Sequence, residues 1–450
     1  MSRDKLFGTD GIRGRVNEYP MTAEMSLRAG KAVAAVLRSD DPNRNRVILG
    51  KDTRVSGYMI ETALTSGLVS MGMEVFLVGP MPTPAVAHLT KSMGCAAGIM
   101  ITASHNPYTD NGVKIFGSDG YKLNDDLETA IEADMLSESQ GAGLGPEGIG
   151  KAYRIDDARG RYIEFVKQTA DNISLHGMKV VVDCGHGAAY DIAPMIFREL
   201  GAKVVSNGVE PDGYNINRDC GALHPEAAAK LVVEHGADLG ISFDGDADRV
   251  IFSDAAGQVV SGDRILGLCA LGLKRHGELE KSTLVATVMS NLGLVEAMRR
   301  EGIEVVATAV GDRNVIERLR ADKLSFGGEN SGHLIFADYS TTGDGLLSAL
   351  QVLRLMKQSG QGLADLAADM EEYPSELINL PVSSKPPLEG VDALQDLIAE
   401  AKEAFGDHGR QLIRYSGTEN KIRILVEHRD AAICSEWAQR LRKTIETELG

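Results

Sequence analysis

Three aspartates at alternate positions, Asp244, Asp246 and Asp248 in ISFDGDADRVIF, follow directly on an apolar run. Carboxylates this close repel one another unless a cation sits among them. A hard divalent ion such as Mg²⁺ takes oxygen ligands and keeps open positions for phosphate. The peptide is not a calcium EF-hand, because Arg249 stands where that loop needs glycine, Ala255 where it needs glutamate, and the flanks read as strands. Three carboxylates around one Mg²⁺ leave surplus negative charge, so a phosphorylated ligand requires local cations. Arg249, Arg13 in FGTDGIRGR and Lys114 in NGVKIF can supply them. So can LIRYSGTENKIRILVE, where Arg414, Ser416, Gly417, Thr418 and Arg423 combine two guanidinium groups with hydroxyls and a glycine-flexed backbone, the ingredients of a phosphate nest. Taken alone, that last peptide reads equally well as an exposed hairpin with ordinary surface charges.

Two further loops carry reactive side chains. GGENSGH offers Glu329 and Ser331 to sugar hydroxyls and His333 for proton transfer near neutral pH, although by itself it is a glycine-rich turn. In GIMITASHNPYTDNGVKIF a buried run stops at Thr102 and delivers Ser104, His105, Asn106 and Pro107. A turn explains the peptide in isolation. No G-x-S-x-G occurs in the chain, so a hydrolase nucleophile elbow is disfavoured. Beside a Mg²⁺ site and a phosphate nest, Ser104 fits phosphoryl transfer, its oxygen binding the metal and carrying the phosphoryl group.

The elements that must position these loops repeat. Three segments each run strand, helix, strand, helix, strand, with Gly72-Met73-Glu74-Val75, Gly201-Ala202-Lys203-Val204 and Gly302-Ile303-Glu304-Val305 at equivalent places. Alternating strands and helices imply parallel βαβ units covered on both faces. Ligands of such sheets collect beyond the carboxyl ends of the strands, and TASHNP, DGDADR and GENSGH follow the third strand of each unit. The polar, glycine-rich residues 137–151 separate the first unit from the second. A second break, NLPVSSKPPLEG, precedes a C-terminal α+β part too short for another unit. Four domains are expected, at 1–150, 151–257, 258–372 and 373–450. GPEGIGKA in the first linker imitates a nucleotide-binding P-loop, but Ala152 replaces the metal-binding hydroxyl and no apolar strand precedes it.

Composition narrows the partners. With 64 acidic against 47 basic residues and a net charge of −17, nucleic acid or an anionic membrane is disfavoured as the main partner. Five scattered cysteines without metal-ligand spacing suit buried thiols in a reducing compartment. The N-terminus has no apolar signal region and no run approaches a membrane span, so a cytoplasmic protein is expected.

TASHNP, DGDADR, GENSGH and RYSGTEN, in this order and at these separations across essentially the whole chain, resemble the α-D-phosphohexomutase superfamily. That resemblance implies an α/β fold: three topologically similar α/β domains with mixed, mostly parallel sheets plus a smaller C-terminal α+β domain, around a central cleft. FGTDGIRG and Asn330 point, within the superfamily, to interconversion of glucosamine 6-phosphate and glucosamine 1-phosphate on the route to UDP-N-acetylglucosamine and the cell wall. By the same resemblance Ser104 is the phosphoserine, and with Asp244, Asp246 and Asp248 it holds one Mg²⁺ per subunit. Glu329, Asn330 and Ser331 read the sugar, and Arg414, Ser416, Gly417, Thr418 and Arg423 clamp the distal phosphate. Arg13, Lys114, Arg249 and His333 surround the transferred group, with the acid and base unassigned. A glucosamine or glucose 1,6-bisphosphate is the implied intermediate and activator, and the oligomeric state, a homodimer among the options, stays open. Ala247, where glycine is usual, and Asn420, where proline is common, depart from the pattern without removing a ligand. The nearest rival is a haloacid-dehalogenase-like phosphatase, whose D-x-D-x-[TV] signature is broken by Asp248.

Overall fold

The structure is a computed structural model and describes residues 5–8, 10–39, 41–138, 143–416 and 420–449. Gly417 and Thr418 of the expected phosphate nest lie outside the described residues. Two compact units divide the chain: Met1–Val288 with Val306–Ala367, and Met289–Val305 with Ala368–Gly450.

The first unit holds three α/β layers. In the first sheet, Arg46–Lys51, Glu74–Pro80 and Ala97–Ile101 run parallel as the βαβ pattern requires, and Asp110–Gly117 and Gly11–Arg15 extend it antiparallel. The strand Ala152–Arg154 pairs with Val75–Leu77, so this sheet extends past Lys151, beyond the expected boundary at 150. Helix Ala23–Leu37, capped by the Thr22 side chain, crosses helix Ser56–Ser70 on one sheet face. The crossing is close enough that a Cβ on Gly30 would lie 2.4 Å from the Leu64 carbonyl oxygen, and one on Gly67 2.3 Å from that of Leu27. Any larger residue at either position would push the helices apart.

The second sheet sets Lys179–Asp183 between parallel Lys203–Asn207 and Leu239–Phe243, with Val250–Ser253 returning antiparallel. The third pairs Thr283–Thr287 parallel with Phe326–Gly328, which turns into antiparallel Leu334–Phe336. The fully buried strand sequences, such as AGIMI, LGISF and TLVAT, match two covered faces. In each layer the third strand leads into the expected loop: Ile101 into TASHNP, Phe243 into DGDADR and Gly328 into GENSGH.

In the second unit, Ser375–Pro381, Lys421–His428 and Gly409–Tyr415 form an antiparallel sheet in that order. The first of these strands takes Asn379–Pro381 from what reads in sequence as a linker, because its alternating exposed and buried side chains suit a half-covered edge strand. Helices Asp392–Phe405 and Ala431–Leu449 cover the sheet through Leu394, Phe405, Ile424, Trp437 and Leu441. All five cysteines are buried and free, and among the described residues no helix is long and apolar enough to cross a membrane.

Candidate active site

Ser104 terminates its strand in a left-handed conformation, with φ of 50°, and is 2 % exposed. Its amide donates to Thr102 Oγ1 at 2.9 Å, so the turn is closed by the preceding threonine hydroxyl. Its hydroxyl donates to Asp244 Oδ2 at 2.7 Å and lies 3.2 Å from His105 Nδ1. Burial, followed by the charges of Arg249 and Arg13, draws the His105 pKa down to about 4, so that ring is neutral at neutral pH. The structure therefore joins, from two different domains, the serine and the aspartate loop that the sequence placed at equivalent strand ends.

Asp244, Asp246 and Asp248 each offer an oxygen within 4.8 Å of the others, and all three are buried. Ala247 adopts φ of 55°, which folds the loop so that the carboxylates converge. Gly245 is required for a different reason: a Cβ there would lie 2.5 Å from the Ser104 carbonyl oxygen. Burial and then the neighbouring Asp248 and Asp246 charges push the Asp244 pKa well above the ordinary carboxylate value. Asp246 Oδ1 is buried with no hydrogen-bond partner. An oxygen-only donor set with an unsatisfied buried carboxylate oxygen and mutual repulsion fits a hard metal ion.

Lys114 Nζ reaches Asp246 Oδ2 at 2.8 Å, Asp248 Oδ2 at 3.1 Å and Asp10 Oδ2 at 3.1 Å. Burial disfavours its charge, but Asp10, Asp246 and Asp248 outweigh burial and keep it protonated. Asp10 also pairs with Arg13 and Lys122, and Lys122 contacts Asp312 Oδ2 at 2.5 Å. Asp312 lies 3.6 Å from His333 Nε2, and His333 Nδ1 lies 3.7 Å from Asp248 Oδ1. These contacts close a ring: Lys114, Asp10, Lys122, Asp312, His333, Asp248 and back to Lys114. The Gly343 amide donates to His333 Nε2 at 3.1 Å, which places the ring proton on Nδ1, facing Asp248.

Of the expected cations, Lys114 lies within the aspartate cluster, and Arg249 donates its backbone amide to Asp244 Oδ1 at 3.2 Å. Arg13 is paired with Asp10. Glu329 is buried and accepts the Gly311 amide at 2.9 Å, Asn330 is exposed, and Ser331 is partly buried. Asp10, Lys122 and Asp312 are the residues sequence reasoning missed. Asp10 lies inside the quoted FGTDGIRG, and Asp312 follows a strand end by the same rule that located the other loops.

In the second unit Arg414 and Arg423 face each other directly across paired strands. Burial and then the Arg423 charge pull the Arg414 pKa below its ordinary value. Like charges opposed in a sheet are destabilising, and an anion relieves that cost. Ser416 accepts Lys385 Nζ on its carbonyl at 2.8 Å, adding a third cation to this loop.

Comparison with known proteins agrees with this geometry. Family models for phosphoglucomutase/phosphomannomutase match over all four parts: alpha/beta/alpha domain I at residues 4–142, domain II at 160–257, domain III at 261–373, and the C-terminal domain at 377–444. Phosphoglucosamine mutase of Syntrophotalea carbinolica is 50% identical over 451 residues, covering 100% of this chain and 98% of that protein. The Anaeromyxobacter enzyme of the same name is 51% identical, covering 98% and 96%. Among solved structures, a phosphoglucomutase/phosphomannomutase family protein from Burkholderia thailandensis superposes with a TM-score of 0.83 at 24% identity, over 100% of this chain and 98% of that one. The N-acetylphosphoglucosamine mutase of Aspergillus fumigatus, solved with GlcNAc-6P and magnesium, has a TM-score of 0.66 at 17% identity, over 98% and 96%. With half of its residues identical along the full length of these relatives, the chain belongs to the phosphoglucosamine mutases of the phosphoglucomutase/phosphomannomutase family.

Proposed function

We propose that this protein interconverts glucosamine 6-phosphate and glucosamine 1-phosphate, with Ser104 as the phosphoryl carrier. The observation that carries the reading is the Ser104 hydroxyl 2.7 Å from Asp244, within a buried triad of carboxylates. The phosphoryl group leaves Ser104 Oγ for the free hydroxyl of the sugar phosphate, giving a 1,6-bisphosphate. After the bisphosphate reorients, its other phosphoryl group returns to Ser104 and the isomerised monophosphate departs. Asp244, Asp246 and Asp248 hold the metal, assigned as one Mg²⁺ per subunit; when bound, it neutralises charge on the phosphoryl oxygens.

Lys114, held protonated by three carboxylates, supplies fixed positive charge near the transferred group, and Arg13 and Arg249 add to it. His333 turns Nδ1 toward Asp248 Oδ1 at 3.7 Å, too far for a hydrogen bond, and stands beside the transferred group with the acid and base unassigned. Glu329, Asn330 and Ser331 are assigned to the sugar, and Arg414, Ser416, Gly417, Thr418 and Arg423 to the phosphate that is not reacting, so that one clamp and one metal site serve both ends of the bisphosphate. The bisphosphate primer rests on the resemblance, the domain limits near 257 and 372 on the repeat and linker pattern, and a cytoplasmic location on the scattered thiols, with a homodimer one option for the assembly.

Incubation with glucosamine 6-phosphate, Mg²⁺ and a trace of hexose 1,6-bisphosphate, followed by phosphorus NMR, tests the proposal. Isomerisation without inorganic phosphate is expected, together with a phosphate on Ser104 by peptide mass mapping. Sustained phosphate release would favour a phosphatase instead.

A further inference from the structure

The carrier serine is held by its carbonyl as well as by its hydroxyl. Arg54 Nη2 donates to the Ser104 carbonyl at 3.1 Å and to the Asn106 carbonyl at 2.5 Å. Asn217 Nδ2 donates to the same two carbonyls at 3.0 and 3.2 Å. Each carbonyl thus receives one bond from the first domain and one from the second, and the two accepting carbonyls flank His105. Arg54 is fully buried, and its charge is balanced by the equally buried Asp52, to which it donates through Nη1. Asn217 is itself anchored, its amide donating to the Gly185 carbonyl at 2.7 Å.

The arrangement answers a specific need. A serine at φ of 50° occupies a region that costs an L-residue about 1 to 2 kcal/mol, and it persists only where surrounding bonds over-determine it. The neighbours of Arg54 also cross to the second domain: Thr53 Oγ1 donates to the His186 carbonyl at 2.5 Å and the Val55 amide to that of Gly213 at 3.0 Å. Residues 52–55 therefore tie the serine loop to the same surface that brings the aspartate loop.

We infer that Arg54 and Asn217 are positioning residues for the carrier serine, gripping its loop through the Ser104 and Asn106 carbonyls so that Oγ stays aimed at the metal triad. Neither touches a reacting atom. The inference rests on the carrier role proposed above. Whatever Ser104 carries, the two donors hold an otherwise unfavourable backbone. Misplacing a reacting atom by about 1 Å costs on the order of 10²-fold in rate, so the clamp acts on turnover and not on sugar-phosphate affinity.

Asn217→Gly keeps the left-handed backbone available at position 217, where φ is 59°, and removes only the amide. Arg54→Lys keeps a charge for Asp52 but cannot span both carbonyls. In both variants kcat is expected to fall roughly 10- to 100-fold while KM for glucosamine 6-phosphate stays within about threefold. Backbone amides 103–106 should exchange hydrogen faster than in the wild type, with distant strands unchanged. If Arg54→Lys does not fold, Asn217→Gly decides alone. Wild-type kcat in folded Asn217→Gly, or a change confined to KM, overturns the inference. If the wild-type protein carries no phosphate on Ser104 even after incubation with a hexose 1,6-bisphosphate, the carrier reading fails by itself. Exchange at 103–106 then still judges the clamp, faster exchange in Asn217→Gly upholding it and equal exchange refuting it.

Discussion

Ser104 lies at the meeting point of two loops that are far apart in the chain, and its replacement isolates the chemistry from binding. Ser104→Ala should lower kcat at least about 10³-fold while calorimetry still records sugar-phosphate binding, because no group assigned to the sugar or the distal phosphate changes. Near-normal isomerisation would move the carrier role to an aspartate. Arg414→Ala and Arg423→Ala should act in the opposite sense. Each removes a charged hydrogen bond worth about 1.5 to 3 kcal/mol, so KM should rise roughly 10- to 150-fold with the Mg²⁺ dependence unmoved. Equal substrate dependence in wild type and both variants would remove the clamp assignment. Ser104 and the aspartates were legible in sequence because their chemistry is local: alternate carboxylates, or a serine stranded at the end of a buried run. Asp10, Lys122 and Asp312 were not, because an isolated charge in sequence looks like a surface charge. What makes them part of the site is ion pairing between residues far apart in the chain, within the first domain for Asp10 with Lys114 and Lys122 and across domains for Lys122 with Asp312.

At the scale of elements, loop conformation distinguishes two small residues that flank Asp246. Ala247 holds φ of 55°, a left-handed backbone that glycine would adopt without strain. Ala247→Gly would relieve about 1 kcal/mol of backbone strain but forfeit a buried methyl group worth about 0.8 kcal/mol, so stability and activity should hardly change. Gly245→Ala should cost at least roughly 10-fold in kcat, since its Cβ would meet the Ser104 carbonyl oxygen at 2.5 Å. Paired kinetics and melting curves on the two variants check the contrast.

Helix Gly345–Ser359 gives a pH signature. Its N-cap Asp344 is buried and accepts from the Leu347 amide at 3.0 Å and from Tyr162 Oη at 2.9 Å. Burial raises its pKa from 3.8 to about 6. The folded state then binds the proton more tightly than the unfolded chain, so this group's contribution is full below 3.8 and is lost as pH climbs to about 6. Asp344→Asn keeps the acceptor and cannot ionise. Its stability relative to wild type should improve by about 2 kcal/mol between pH 4 and pH 7, measured by urea unfolding at each pH. A constant difference would show that Asp344 titrates normally. The repeated strand and helix pattern was readable from periodicity. The antiparallel strands Gly11–Arg15 and Asp110–Gly117 and the edge strand Ser375–Pro381 were not: the first and last are only partly covered, and in all three glycine, proline or polar residues interrupt the apolar runs that mark buried strands.

For the whole molecule, metal and fold are linked. Mg²⁺ binding only to the folded triad should stabilise the protein by about 2.7 kcal/mol at a hundred times its Kd. Asp246→Asn should abolish that increment with little change in the metal-free Tm, because it removes one of three repelling charges and, against that, one of the three carboxylates that pair with buried Lys114. A retained increment would place the ion elsewhere. A different consequence follows from the make-up of the second compact unit, which takes Met289–Val305 from far upstream in the chain. Asn291 Nδ2 donates to the Tyr373 carbonyl at 3.0 Å, the Leu292 amide to Glu427 Oε2 at 3.1 Å, and Tyr373 Oη to Glu296 at 2.6 Å. During synthesis, helix Leu292–Arg300 leaves the ribosome long before the strand that carries Glu427, and at about 5 to 20 residues per second it waits several seconds for its partner. The C-terminal unit is therefore the last to assemble, and a nascent chain stalled before Glu427 would expose an unpartnered helix to chaperones, however complete its metal site.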